Sequence, residues 1–466
     1  MTIKIIYNEL KMPIKLLKIL TLIFCLGMWL SVASQSSVVK TKQNNNEITL
    51  KWAKTTLDFI NIQTTKSPTF ISRSLGYIGL TMYESVVYSN PKYKSIASQL
   101  NGLADIPKPQ KAKQYDWETV LNASQSLIIR KLWQPEKSEF GFFAIKRLDS
   151  LEKAILKERE LAVADTSITN RSVVFGKALA NRIYEWSMTD GGHEMNFKSF
   201  DPEYKYHRDS QNGLWDPPVG GQSPIMMPLH PYWGNNRSFV KANADLPVVK
   251  MIPFSRDTTS DYYQQFRQVY NIQKNLTQEQ KEIANWWGDD PAFTTAPPGH
   301  SYNITIILIK AKKPDLVVSA MAFARVGMAC ADAFINCWKN KYVYHSERPK
   351  NYIRKNIDKN FNQYWPEPPF PGFPSGHSTQ MAATAEVLID IFGDKVSFID
   401  DTHRGRPKDS IRNVEYKSRS FTKISQIADE CGISRLYGGI HTMQDNLIGL
   451  EEGKKIGENI NKIKWR

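Results

Sequence analysis

Cysteine is scarce: four residues among 466. One of them, Cys25, lies in an N-terminal apolar run, which leaves Cys330, Cys337 and Cys431 for the body of the chain. Three cysteines do not make a disulfide framework. Cys330 and Cys337 lie seven apart in a helical pattern, about 10 Å along the axis, beyond the reach of a disulfide. All three are therefore expected to pack as buried apolar side chains. Alternating strand patterns are equally scarce, and no internal repeat or low-complexity domain is apparent. Beyond residue 34 no stretch reads as the ~18–20 consecutive apolar residues that cross a bilayer. Among the eight histidines, His193, His207, His230, His300 and His403 show no spacing typical of a divalent-metal site.

What is present is a basic, globular composition. Hydrophobic residues make up 41% and charged residues 23%, with a formal charge of +15. Basic residues are scattered and no nucleic-acid motif accompanies them, so the surplus reads as a solvated surface that steers small anions, not as a nucleic-acid footprint. Lys11, Lys15 and Lys18 precede an apolar run from Ile19 to Val32 that ends in small residues. This pattern predicts a signal peptide over 1–34 and an exported product, periplasmic or secreted, without stable membrane insertion once the segment is removed. Residues 35–48, rich in Asn and Lys, read as a flexible tether.

The remainder reads as an all-α protein. A helical half over 49–255 is expected to begin with helices near 49–62, 67–88, 115–134, 137–161 and 168–189. Ser67-Pro68 supplies an N-cap followed by proline at the first helical position. From 192 to 255 proline, glycine and aromatics crowd a long irregular segment of the kind that walls a pocket. A second helical half over 256–466 continues with helices near 257–271, 277–287, a long pair between 301 and 340, one opened by Ser375-Gly376-His377, and two more near 420–435 and 443–461. The last carries Gly449, Gly453 and Gly457 at four-residue spacing, which permits close approach of another helix.

Three short segments of the second half carry chemistry. They are Lys341-x6-Arg348-Pro349, Pro374-Ser375-Gly376-His377 and Ser434-Arg435-x5-His441. Lys and Arg neutralise a multiply charged oxyanion, and an Arg fork reaches two oxygens at once. A Ser-Gly-His turn at a helix start presents backbone N–H groups where the dipole also favours an anion. One histidine can bond to the central atom while the other moves protons near neutral pH.

Read together, the three segments resemble the pattern that joins type 2 phosphatidic acid phosphatases, bacterial acid phosphatases and vanadium-dependent haloperoxidases, at every defined position over about a hundred residues. The resemblance implies a helical-bundle fold of that type and a site for vanadate or phosphate. It assigns His441 as the residue bonded to the central atom, and Lys341, Arg348, Arg435, Ser375 and Gly376 as groups around its oxygens. His377 becomes the acid–base residue, and Lys341 also acts in catalysis by polarising bound oxygen. The stretch Trp287-Gly288-Asp289-Asp290, followed by Pro297-Pro298, is similar to the place where fungal chloroperoxidases pair an aspartate with the second arginine. That similarity gives Asp290 the task of orienting Arg435, with Asp289 as the alternative.

Trp338 and Phe370 stand where haloperoxidases line the halide side of the pocket. Chloroperoxidases show a similar Trp/Phe pairing, and algal bromoperoxidases usually place a histidine at the position of Phe370. Bacterial iodoperoxidases of marine flavobacteria resemble this chain in length, export signal and motif spacing. Two activities follow from the resemblance. One is a vanadate-dependent peroxidase that takes hydrogen peroxide and halide, iodide first. The alternative is an exported acid phosphatase that uses the same residues through a phosphohistidine at His441. The long N-terminal helical half favours the peroxidase.

Overall fold

Two long helices set the frame. In the computed structural model, which describes residues 46–466 apart from 63–66, 139, 194, 196–197 and 207–212, the first half supplies α1 (Glu47–Ile62), α2 (Pro68–Val86), α3 (Trp117–Trp133), α4 (Gly141–Val163) and α5 (Thr166–Ser187). The second half supplies α6 (Asp261–Lys274), α7 (Gln278–Trp286), α8 (Ala296–Lys312), α9 (Leu316–Tyr344), α10 (Pro349–Asn356), α11 (Gly376–Phe392), α12 (Gln426–Tyr437) and α13 (Met443–Asn461). The expected signal peptide and most of the expected tether lie outside the described residues. Residues 45–466 form one unit, so the two halves share a core.

That core forms where α2 lies along α9. Ser67 caps α2 by accepting a hydrogen bond from Phe70 N, and Pro68 occupies the first turn, as the sequence pattern predicts. Every residue from Thr69 to Val86 is buried. Gly79 on α2 faces the carbonyl of Phe323 and Gly327 on α9 faces that of Leu75, so no side chain separates the two backbones there. Helix α9 corrects one expectation: it is long and apolar enough to cross a membrane, yet its apolar window is almost wholly buried inside the fold. Its hydrophobicity serves packing on all sides. Cys330, Cys337 and Cys431 are free thiols and buried, as expected.

The second close helix pair is α11 with α13. A Cβ on Gly449 would approach Ser378 Cβ to 2.8 Å, and one on Gly453 would meet Ala382 Cβ at 2.8 Å and collide with the Thr379 carbonyl. The glycine stripe read from the sequence thus seats α13 directly on α11. Two features went unread. Pro349 opens the short helix α10, and the loop after α11 carries an antiparallel ribbon, β1 (Phe398–Asp400) with β2 (Arg419–Phe421), the sole paired strands among the described residues.

The described residues of the irregular 192–255 segment include two short helical turns, Trp233–Asn235 and Lys241–Ala244, and the segment is tied down at its start and around residues 237–243. Asp190 accepts from Arg73 Nε at 2.7 Å and from Tyr77 Oη at 2.8 Å, and its carbonyl accepts from Arg237 N at 2.8 Å. Asp332 on α9 accepts from Phe239 N (2.7 Å), Val240 N (3.1 Å) and Asn243 Nδ2 (2.8 Å).

Candidate active site

Helix ends bring the three motif segments together. Lys341 lies in the last turn of α9, which stops at His345 in the left-handed region (φ 48). Arg348 is the residue before α10. Ser375 caps α11 by accepting from Ser378 N at 3.3 Å, and Gly376 is that helix's first residue. Arg435 occupies the last turn of α12, and His441 sits just before the capping box formed by Thr442 and Asp445 at the start of α13.

A cavity of about 370 Å³ opens beside them. Gly376, His377, Arg435, His441, Trp338 and Phe370 line it. Ser199, Phe200, Gln222, Pro224 and Leu229 close one side, so the irregular segment does wall the pocket. Trp338 and Phe370 meet with ring centroids 4.8 Å apart, and Trp338 Nε1 donates to Leu229 O at 3.3 Å. A Cβ on Gly376 would meet nothing closer than 3.6 Å. Protein packing therefore does not demand glycine at this position, whereas close approach of a ligand to the backbone would.

The two arginines are used differently. Arg348 is saturated: it donates to Phe370 O (3.0 Å), Pro371 O (3.2 Å) and Ile440 O (2.9 Å), and its Nη1 lies 3.1 Å from His441 Nε2. Arg435 donates Nη1 to Trp287 O at 2.8 Å, while its Nε and Nη2 are buried without a partner. His377 Nε2 is a third buried atom with no partner. Burial lowers both arginines only to about 10, so each keeps its charge at neutral pH.

His441 has a defined tautomer. Arg348 can only donate, so Nε2 of His441 accepts and Nδ1–H donates to Asp445 Oδ2 at 2.9 Å. Burial, followed by the charges of Arg348, Lys341 and Arg435, holds His441 well below its ordinary pKa. Burial and the adjacent Arg435 do the same for His377. Both imidazoles are neutral at working pH, and His441 points a lone pair, not a proton, toward the site. Asp445 was missed from sequence, although its place four residues after His441 was the available signal.

Two sequence expectations need adjustment. Lys341 does not face the open cavity: its Nζ donates to Pro371 O (2.8 Å), Gly372 O (2.7 Å) and Pro374 O (2.6 Å). A fully buried ammonium takes the nearest carbonyls, and Lys341 thereby fixes the loop that leads into Ser375. Asp290 borders the pocket, but its Oδ1 accepts from Ala292 N at 3.0 Å and holds the local turn. The buried carboxylate beside the site is Asp289, whose charge raises the pKa of Arg435. Asp289 accepts from His300 and His403, a cluster that spacing had not suggested.

These residues fit a compact oxyanion with several negative charges. Two unpartnered guanidinium nitrogens, an imidazole lone pair among cations and a glycine at a helix start meet around one cavity.

Comparison with known proteins agrees with this fit. A family model described as the VCPO second helical-bundle domain matches residues 321–464, which hold all three motifs. Over the region that carries the motifs, the chain resembles the vanadium haloperoxidases. Vanadium chloroperoxidase of Curvularia inaequalis is 28% identical over 136 residues, a match that spans 24% of this chain and only 22% of that enzyme. The crystal structure of the first bacterial vanadium-dependent iodoperoxidase superposes with a TM-score of 0.77 at 28% identity, covering 90% of this chain and 96% of that one. A holo-type bacterial vanadium-dependent chloroperoxidase shares the fold at TM-score 0.61 and 16% identity, over 90% and 97% of the two chains.

Proposed function

We propose that this chain is a vanadate-dependent peroxidase that uses hydrogen peroxide to oxidise halide to hypohalous acid, with iodide the best substrate. The observation that carries the reading is the set of buried donors and acceptors without protein partners, Arg435 Nε and Nη2 and His377 Nε2, on two residues that line one cavity with His441. His441 would bond vanadium through Nε2, and Arg435 would take oxygens through its free N–H pair. Lys341 and Arg348 would supply charge, Ser375 a hydroxyl and Gly376 a backbone N–H. Bound vanadate supplies Lewis-acid activation of peroxide with no change in its own oxidation state.

The residues around it have separate tasks. His377 is neutral, so Nε2 takes a proton from incoming peroxide and returns it to departing hydroxide. Asp445 keeps the proton of His441 on Nδ1, which leaves on Nε2 a lone pair, now accepting from Arg348, that would bond the central atom. Trp338 and Phe370 present aromatic edges, which carry partial positive charge and suit a large, weakly hydrated anion. Iodide is also the halide most easily oxidised. The 28%-identical relative is an iodoperoxidase by name, which supports the same choice. We also propose that the enzyme acts outside the cytosol, from the basic and apolar pattern of residues 1–34.

Loading the purified protein with orthovanadate, adding peroxide, and comparing iodide, bromide and chloride oxidation with phosphate-ester hydrolysis tests the reading. The expected order in kcat/KM places iodide first. A higher value for bromide or chloride removes the iodide assignment. Ester hydrolysis without halide oxidation would make the chain a phosphatase working through phospho-His441.

A further inference from the structure

Behind the pocket wall lies a buried cluster that none of the steps above uses. His300, in the first turns of α8, is fully buried. Its Nδ1 lies 2.9 Å from Asp289 Oδ2, and its Nε2 lies 2.8 Å from Asp400 Oδ2 at the end of β1. Asp400 also accepts from Trp286 Nε1 (2.7 Å) on Oδ2 and from Thr402 N (3.1 Å) and Thr402 Oγ1 (2.5 Å) on Oδ1. Asp289 Oδ1 also faces His403 Nε2 at 3.0 Å. Against the pull of burial, the facing imidazole and these hydrogen bonds hold both carboxyl groups below their ordinary range. With a carboxylate against each ring nitrogen, both nitrogens of His300 donate.

The same ring holds the turn that carries Arg435. Trp287 stacks on His300 with centroids 4.6 Å apart and planes within 14°. The carbonyl of Trp287 is the acceptor for Arg435 Nη1. Two residues on, Asp289 sits at φ 45, a strained conformation for a residue with a side chain, and its carboxylate is bonded to His300. His300 thus grips the turn twice, through the face of Trp287 and the carboxylate of Asp289.

We infer that His300 is a permanent imidazolium, clamped between Asp289 and Asp400, that braces the 286–289 turn and so aims the free N–H groups of Arg435 into the pocket. It is a positioning residue for oxyanion binding. The charged and titratable groups around it are Asp289 from the turn, Asp400 from β1, His403 from the following loop, and His377 and Arg435 toward the pocket. The two carboxylates lift its pKa to about 10 against the pull of burial. Asp289, His300 and His403 also offer ligand atoms within 4.8 Å of one another, so a divalent ion is the competing occupant.

The brace rests on the oxyanion reading of the pocket, and its test keeps the two apart. Histidine-selective ¹⁵N NMR of the full chain without vanadate should show both His300 nitrogens protonated at neutral pH, assigned by their loss in His300→Gln. Asp400→Asn, which keeps the shape and an acceptor, should lower the His300 titration. Orthovanadate affinity, read by calorimetry, should fall about 10- to 100-fold in His300→Gln, as outer-shell substitutions do, and fall in the same direction in Asp400→Asn, which stands in if His300→Gln does not fold. A singly protonated His300 ring in the wild type, an unchanged vanadate affinity in a folded variant, or one equivalent of a divalent metal retained through purification would each overturn the brace. Failure of the wild type to bind orthovanadate, with the His300 signals as expected, would overturn the pocket's assignment, not the imidazolium.

Discussion

Replacing Arg435 with Lys separates charge from geometry. The positive charge remains, but the fork does not. Arg435 spends Nη1 on Trp287 O and leaves Nε and Nη2 side by side toward the cavity. A lysine has one nitrogen, which either keeps the Trp287 carbonyl or turns to the ligand. It cannot offer two parallel N–H groups in one plane. At least one charge-assisted hydrogen bond to the oxyanion is lost, about 1.5–3 kcal/mol. At about 1.4 kcal/mol per decade, orthovanadate should bind roughly ten- to a hundredfold more weakly. Calorimetric titration of wild type and variant measures this, with circular dichroism as the check on folding. Because net charge is unchanged, the slope of affinity against ionic strength should match that of the wild type. A dissociation constant within about twofold of the wild type would show that Arg435 does not touch the ligand, since even one such bond is worth about a decade.

Other consequences follow from the same geometry. His441→Ala should abolish vanadate retention and halide oxidation and leave the helical fold intact; normal turnover at low vanadate would remove His441 from the bonding role. Gly453→Val forces α13 away from Thr379 and Ala382, so the fold should lose about 1–3 kcal/mol of stability, read by denaturant unfolding. Vanadate affinity should drop with it, because α11 begins at Gly376. His230, buried with Nδ1 against Ser67 and Nε2 against Met195 O, is pulled from 6.5 to about 3 by burial. The unfolded chain binds its proton first, so this contribution is fully present above about pH 6.5 and is lost as pH falls toward 3, at up to about 1.4 kcal/mol per pH unit. Denaturant midpoints measured against pH should show a shallower acid slope in His230→Gln.

Most helices were legible because their apolar periodicity is strong, with an explicit cap at Ser67-Pro68. The three motifs were legible because each packs its chemistry into a few consecutive residues beside a helix end. What escaped notice depends on distance along the chain. Asp289 and Asp400 lie on different elements, and only folding places His300 between them. Lys341 was read as a cation of the site and not as a donor to the 371–374 carbonyls, since irregular backbone leaves no periodic trace. Asp290 and Asp289 are neighbours of identical chemistry. Their roles diverge because Asp289 takes a positive φ that turns its carboxylate inward. Helix α10 is short, and its proline start was the sole local cue.

The glycine stripe on α13 also bears on how the site moves. At Gly449 and Gly453 backbone meets the carbonyls of Ser375 and Thr379, so no rotamer change there can widen the gap between the helix that begins beside His377 and the helix that begins beside His441. Those two histidines ride on one stiff piece, and thermal motion carries them together. Admission and release of reactants must therefore be timed from the opposite wall, around Gln222–Leu229, an irregular stretch pinned at its ends by hydrogen bonds from Gln222 N to Glu367 O and from Leu229 N to Pro369 O. Amide exchange should accordingly be slow along Met443–Gly457 and faster along the Gln222–Leu229 wall, with the catalytic pair keeping its separation while the wall exchanges.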